Sequence, residues 1–204
     1  GLMSRFVRLS FLSVFFLAAV ATLAGAQQMV SIGGRITGIF PDGIRPGVEM
    51  PTNTLVIDAT GRHVSPGIID AHSHSMILGA VNEATLPSTA MCRIGDVVNS
   101  ETPHIQQQLA GGVVAAQLLH GSANPIGGQS ALIKLKWGAS PEELKIAGAD
   151  KFIKFALGEN VKRTSNAQST RFPQTRMGVE QVYVDAFTNA IEYEKKWKSW
   201  QSLP

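Results

Sequence analysis

Pro66-Gly-Ile-Ile-Asp-Ala-His-Ser-His-Ser75 is a short apolar run opened by a Pro-Gly turn and closed by two histidines one residue apart. The pattern predicts a strand over Ile68–His72 with a polar end. Residues two apart on a strand share a face, so His72 and His74 stand side by side and Asp70 lies in phase with them. Two imidazoles placed this way can chelate one divalent ion. The alternative is a hydrogen-bonded core pair. Polar groups converging at the end of a buried strand are costly unless something satisfies them.

Upstream, Thr54–Asp58 reads as a strand and Ala59–Arg62 as a turn. Residues 29–40 read as a hairpin about Gly33-Gly34, followed by a Pro41-Asp-Gly turn and a Pro-rich loop over 44–53. The first residues have the form of a secretory signal. Arg5 and Arg8 follow Met3, an apolar stretch runs from Leu9 to about Leu23, and Ala24-Gly-Ala26 offers a cleavage site before Gln27. That predicts export, to a secreted or periplasmic location, with no membrane span left after cleavage of residues 1–26. An uncleaved anchor is the competing reading, on a run near the lower length limit for spanning.

Downstream, Pro103–Ala110 predicts a helix with Thr102 near its start. Gly112–Leu119 is a wholly apolar strand of the kind buried on both faces in a parallel sheet. It runs into a long Gly-rich loop, His120–Gln129. Ala131–Lys136 reads as a strand or extended return, and Pro141–Ala147 as a short helix capped by Ser140. Phe152–Leu157 is another strand, and residues 164–178 are a polar loop. Val179, Val182, Tyr183, Ala186, Phe187, Ala190 and Ile191 recur at helical spacing, which predicts an amphipathic helix over 179–200. Trp137, Trp197 and Trp200 read as packing residues.

The 204 residues, 44% apolar and 16% charged, suffice for a folded core. Of the net charge of +3, two units belong to Arg5 and Arg8 in the leader. What remains gives no basic footprint for nucleic acid. Cys92 is the single cysteine, so no internal disulfide is available.

Strands that end in polar, Gly-rich loops follow the logic of a parallel α/β sheet or barrel, where function gathers at strand C-terminal ends. Glu159 lies two residues past the strand 152–157. It reads as an oxygen ligand for a two-histidine site or as a solvated loop carboxylate. Lys154, inside that strand, reads as a carboxylated bridging ligand or as a snorkelling, ion-paired lysine. His120, at the end of strand 112–119, reads as a neighbour of the metal site, as a substrate contact, or as a turn histidine bound to backbone. His63 and His104 have no supporting context.

The stretch Val56–His74 resembles the opening of the metal-dependent amidohydrolase superfamily, and more narrowly its secreted imidazolonepropionase-like branch. Gly111-Gly-Val-Val-Ala-Ala-Gln, Gly121-Ser-Ala-Asn-Pro-Ile-Gly-Gly-Gln, Phe155-Ala-Leu-Gly-Glu-Asn-Val-Lys-Arg and Thr175-Arg-Met-Gly extend the likeness over about residues 30–200. The resemblance implies an α/β fold, the N-terminal part of a (β/α)₈ TIM-like barrel. Residues 27–65 would be a small β-sandwich segment and 66–204 the first three β/α units. It also implies one or two divalent metals, zinc above all, and hydrolysis of C–N bonds in small amides, cyclic amides or peptide-like substrates.

By position, His72 and His74 become first-strand metal ligands and Glu159 a third-strand carboxylate ligand. Lys154 is the runner-up bridging ligand, and Asp70 and His120 flank the site. The later histidines and the proton-shuttling aspartate of the family have no counterpart here, and a complete barrel takes about 250 residues. The expected partner is therefore the C-terminal half of the barrel or a further copy of the chain. The second reading is non-catalytic: a half-barrel that binds a partner chain, or a decayed fragment with no stable fold of its own.

Overall fold

The computed structural model describes residues 17–20, 28–32, 35–40, 52–59, 62–162 and 170–203. Residues 33–34, 41–51, 60–61 and 163–169 lie outside the described residues, as does most of the segment read as a leader. The chain divides into two compact units at Pro66 and Gly67.

The first unit carries a four-stranded sheet in the order β3-β2-β1-β4. Its strands are β1 (Leu17–Val20), β2 (Gln28–Ile32), β3 (Arg35–Phe40) and β4 (Leu55–Asp58). The expected hairpin is present, with β2 and β3 antiparallel and a register shift at Val30/Ser31. β1 falls within the apolar run read as the core of the leader. It pairs antiparallel with β2 and parallel with β4.

The second unit is built on β5 (Ile68–Ser73), β6 (Val113–Leu118) and β8 (Ala131–Lys134), with β6 in the middle. β5 and β6 are parallel, as the strand–helix–strand pattern predicts, and α1 (His104–Ala110) lies between them in sequence. β8 returns antiparallel to β6. One apolar core serves these elements. Met76, Ile94, Val98, Ile105, Leu118, Ile133, Leu135 and Leu144 are its large members. α2 (Pro141–Leu144) carries the Ser140 cap that the sequence suggests, and Glu143 makes it a reciprocal capping box.

Four expectations need correction. β6 is not buried on both faces: Ala115, Ala116 and Leu118 are buried, but Val114 is exposed. The stretch read as a Gly-rich loop contains a strand, β7 (Ile126–Gln129), and β9 (Ile153–Phe155) pairs with it, antiparallel. Here the glycines serve close approach rather than a turn. A Cβ on Gly127 would stand 2.7 Å from His120 Nδ1, and one on Gly128 2.8 Å from the Cys92 carbonyl oxygen.

The final helix, α3 (Arg176–Gln201), starts inside the segment read as polar loop. Thr175 caps it, its Oγ1 accepting from the Gly178 N–H at 3.2 Å. Gly178 is buried in the first turn, where a Cβ would meet Pro173 and the Phe172 ring. Val179 and Val182 are buried as expected, but Phe187, Trp197 and Trp200 are exposed, and Trp137 is at the surface too. The tryptophans therefore do not act as core packing residues here. Among the described residues no helix is long and apolar enough to cross a membrane.

Candidate metal centre

The end of β5 alternates as a strand should. Ser73 is buried beside Leu118 of β6, while His72 and His74 are exposed on the other side. The Asp70 carboxylate does not join them through its own side chain. Its Oδ1 accepts the His72 backbone N–H at 3.1 Å, which fixes the strand just before the first histidine. Past Ser75 the chain turns at Met76, whose φ of 60° is left-handed and whose side chain is buried in the core.

The two imidazoles meet through Nε2, 3.1 Å apart, with their rings nearly perpendicular at 86°. His74 Nδ1 lies 2.9 Å from the Leu119 carbonyl oxygen. A carbonyl only accepts, so Nδ1 carries the proton and the Nε2 lone pair of His74 faces His72. This is the outer hydrogen bond that sets the tautomer of a metal-bound histidine. Two nitrogens at about 2.0–2.1 Å from a tetrahedral zinc ion lie roughly 3.3 Å apart, so the observed separation fits a shared ion.

Lys154 of β9 brings its Nζ to 3.3 Å from His72 Nε2. Partial burial, then the Lys154 charge and then His74 hold the His72 imidazole below its ordinary pKa, and Asp70 opposes them. That direction favours the neutral imidazole, the form in which histidine ligates a metal. The two imidazoles and the Lys154 ammonium thus meet in one compact cluster. Among the described residues no cluster of three or more His, Cys, Asp or Glu side chains is suited to hold a metal.

Of the two readings of Glu159, its surroundings match the loop carboxylate. Its two carboxylate oxygens are taken by Lys162 at 2.6 Å and Arg176 at 2.8 Å, in an exposed 3₁₀ turn, Glu159–Lys162. The Lys162 ammonium, with Arg176 beside it, holds its acid below the usual carboxylate range. Of the three readings of His120, its surroundings match the turn histidine bound to backbone. It is buried, its Nε2 accepts the Glu83 N–H at 2.8 Å, and its Nδ1 lies 3.0 Å from the Gly121 oxygen. Both ring nitrogens are therefore committed to backbone, which leaves none for metal or substrate.

Several residues around the site escaped sequence reasoning. Gln108 of α1 donates to Ser75 Oγ at 2.8 Å, and Ser75 Oγ lies 2.9 Å from Ser73 Oγ. Tyr183 of α3 donates to backbone oxygens flanking the β7–β9 pair, with Pro125 at 2.7 Å and Ala156 at 2.9 Å as its partners. Arg171 donates to the carbonyls of Ala84 and Ala123. A glutamine on a short helix and a tyrosine in an apolar stripe carry no local signature of such roles. Only the fold brings their partners near.

No family model matches the chain. It is 33% identical over 184 residues to the amidohydrolase tasK of Hapsidospora irregularis, a match that takes in 82% of this chain and 18% of that protein. Its structure resembles the crystal structure of an amidohydrolase from Thermotoga maritima MSB8, with a TM-score of 0.75 at 31% identity over 91% of this chain and 50% of the other. The chain thus spans under a fifth of the curated relative and half of the solved one. Both relatives are amidohydrolases by name and support an amidohydrolase family, and the mixed α/β fold is consistent with part of a TIM-like barrel.

Proposed function

We propose that the chain is the N-terminal part of a metal-dependent amidohydrolase of the secreted, imidazolonepropionase-like branch, which hydrolyses C–N bonds in small amides, cyclic amides or peptide-like substrates. The observation that carries this reading is the His72–His74 pair, with its 3.1 Å Nε2 separation and the Leu119 carbonyl behind His74. Zinc suits two imidazoles. The chemistry a divalent ion supplies at such a pair is activation of water near neutral pH and polarisation of a carbonyl oxygen.

The chain's own residues prepare that site. Leu119 fixes the tautomer of His74, Asp70 fixes the backbone of His72, and Lys154 stands beside His72 as the candidate bridging ligand. Glu159, held by Lys162 and Arg176, is left outside this set. Titration of the full chain with zinc is the direct test. Alanine at His72 or His74 is expected to weaken binding about 100-fold, since each removes half of a two-residue chelate. Affinity unchanged by both substitutions would refute the ligand assignment.

The occupant of the exposed surface of this unit is part of the same proposal. Ile68 and Ile69 on the edge strand β5, and Phe187, Trp197 and Trp200 on α3, are exposed. The solved relative is twice as long as the part matched here. A polypeptide equivalent to the rest of that fold is the partner these apolar surfaces suit. The same surfaces favour the second reading, a non-catalytic half-barrel that binds such a partner, and a wild-type chain that binds no zinc at all would select it.

Export completes the proposal. The N-terminal sequence of exported protein is expected to begin at Gln27, and a start that retains residues 1–26 would refute cleavage there. Such cleavage removes β1 and leaves β2 and β4 without their common neighbour.

A further inference from the structure

We infer that Gln108 is a positioning residue for His74, acting through Ser75 and Ser73. This rests on the reading of His72 and His74 as ligands. His74 stands just beyond the last residue of β5, so no strand ladder holds its backbone. What holds it is a bracket made by its two neighbours. Ser73 and Ser75 join through their hydroxyls at 2.9 Å, and the Ser75 N–H points at Ser73 Oγ at 3.4 Å.

Ser73 is buried and Ser75 half-buried, so the bracket is anchored in the unit rather than in solvent. Gln108 closes it from α1. Its Nε2 donates to Ser75 Oγ at 2.8 Å, which leaves the Ser75 proton free to reach Ser73.

Three glutamines follow one another at 106–108. The first two are exposed and only Gln108 turns inward, on the same side as the buried Ile105. Its amide is half unsatisfied, because Oε1 is buried and has no hydrogen-bond partner among the described residues. An apolar side chain of equal length, such as methionine, avoids that penalty. The one thing glutamine alone supplies here is the N–H to Ser75. The amide thus serves the histidine turn rather than the packing of α1.

Cobalt(II) binding to the full chain tests this, read by its visible absorption and by affinity, with thermal unfolding followed in parallel. Gln108→Met is expected to keep or raise the unfolding temperature while lowering cobalt affinity about tenfold and changing the absorption band. Ser75→Ala breaks the same link from the other side, so the double variant is expected to bind no more weakly than the weaker single variant. Cobalt binding by Gln108→Met equal to wild type, with His72→Ala and His74→Ala binding about 100-fold more weakly, overturns this inference alone. Undiminished binding in the two histidine variants overturns the ligand reading itself. Additive losses in the double variant also overturn the inference, since they put Gln108 and Ser75 on separate paths.

Discussion

Replacing His120 with alanine is expected to cost about 3–4 kcal/mol of stability and to leave zinc affinity untouched, although His120 lies just past the strand that borders the site. The magnitude follows from what the ring does. It is buried, two residues past Leu118, where β6 ends. The Glu83 N–H can only donate, so Nε2 is the acceptor and the proton sits on Nδ1, which donates to the Gly121 oxygen. One ring therefore bonds the loop before Thr89 to the loop after β6, and alanine leaves both backbone groups without it.

The surroundings cannot close over the hole. Gly127 lies against the ring so tightly that even a Cβ would stand 2.7 Å from Nδ1. Beside it, buried Asn124 uses its amide nitrogen on Thr89 Oγ1 at 2.8 Å and Leu86 O at 3.1 Å, in the same group of loops. Urea unfolding of the full chain gives the stability loss, and zinc titration of the same sample gives the affinity. A fall in zinc affinity with little loss of stability would return His120 to the metal site.

His120 also shows where sequence reasoning reaches its limit. The pair His72–His74 was legible because strand alternation alone fixes which residues share a face, and that rule needs no knowledge of the rest of the fold. The parallel pairing of β5 with β6 was legible for the same kind of reason, from an apolar strand, a helix and a second apolar strand. By contrast, the fates of His120 and Glu159 depend on partners far off or across a turn. Glu83 lies 37 residues before His120, and Arg176 lies 17 residues after Glu159.

β7 was missed because its glycines carry two meanings. In a loop they supply turns, whereas at Gly127 and Gly128 they let a strand approach a ring and a carbonyl. The start of α3 was missed for a related reason, since Gly178 looks like a breaker and is a packing residue. The exposed aromatics of α3 mark the opposite failure. A correct helical period told which residues line up, but it could not tell that Phe187, Trp197 and Trp200 stay exposed.

Replacing Leu118 with alanine is expected to cost about 3 kcal/mol and also to weaken zinc binding about tenfold, so that the core and the site fail together. Leu118 is fully buried on β6, the one strand of its sheet with a neighbour on each side. Its register partner across β5 is Ser73, the residue between the two histidines. The next residue, Leu119, donates its N–H to the Ser73 carbonyl at 3.0 Å and offers its own carbonyl to His74 Nδ1 at 2.9 Å. A cavity under Leu118 therefore frees the backbone group that sets the His74 tautomer.

Leu144→Ala supplies the comparison. Leu144 belongs to the same core and is equally buried, but it sits on α2 and bonds to nothing at the end of β5. Its loss of stability is expected to match that of Leu118→Ala, with zinc affinity held within about twofold. Zinc titration and urea unfolding of both variants decide the matter. Equal affinities in the two would mean that His74 keeps its orientation without the β6 backbone, and the site would then rest on β5 and its serine bracket alone.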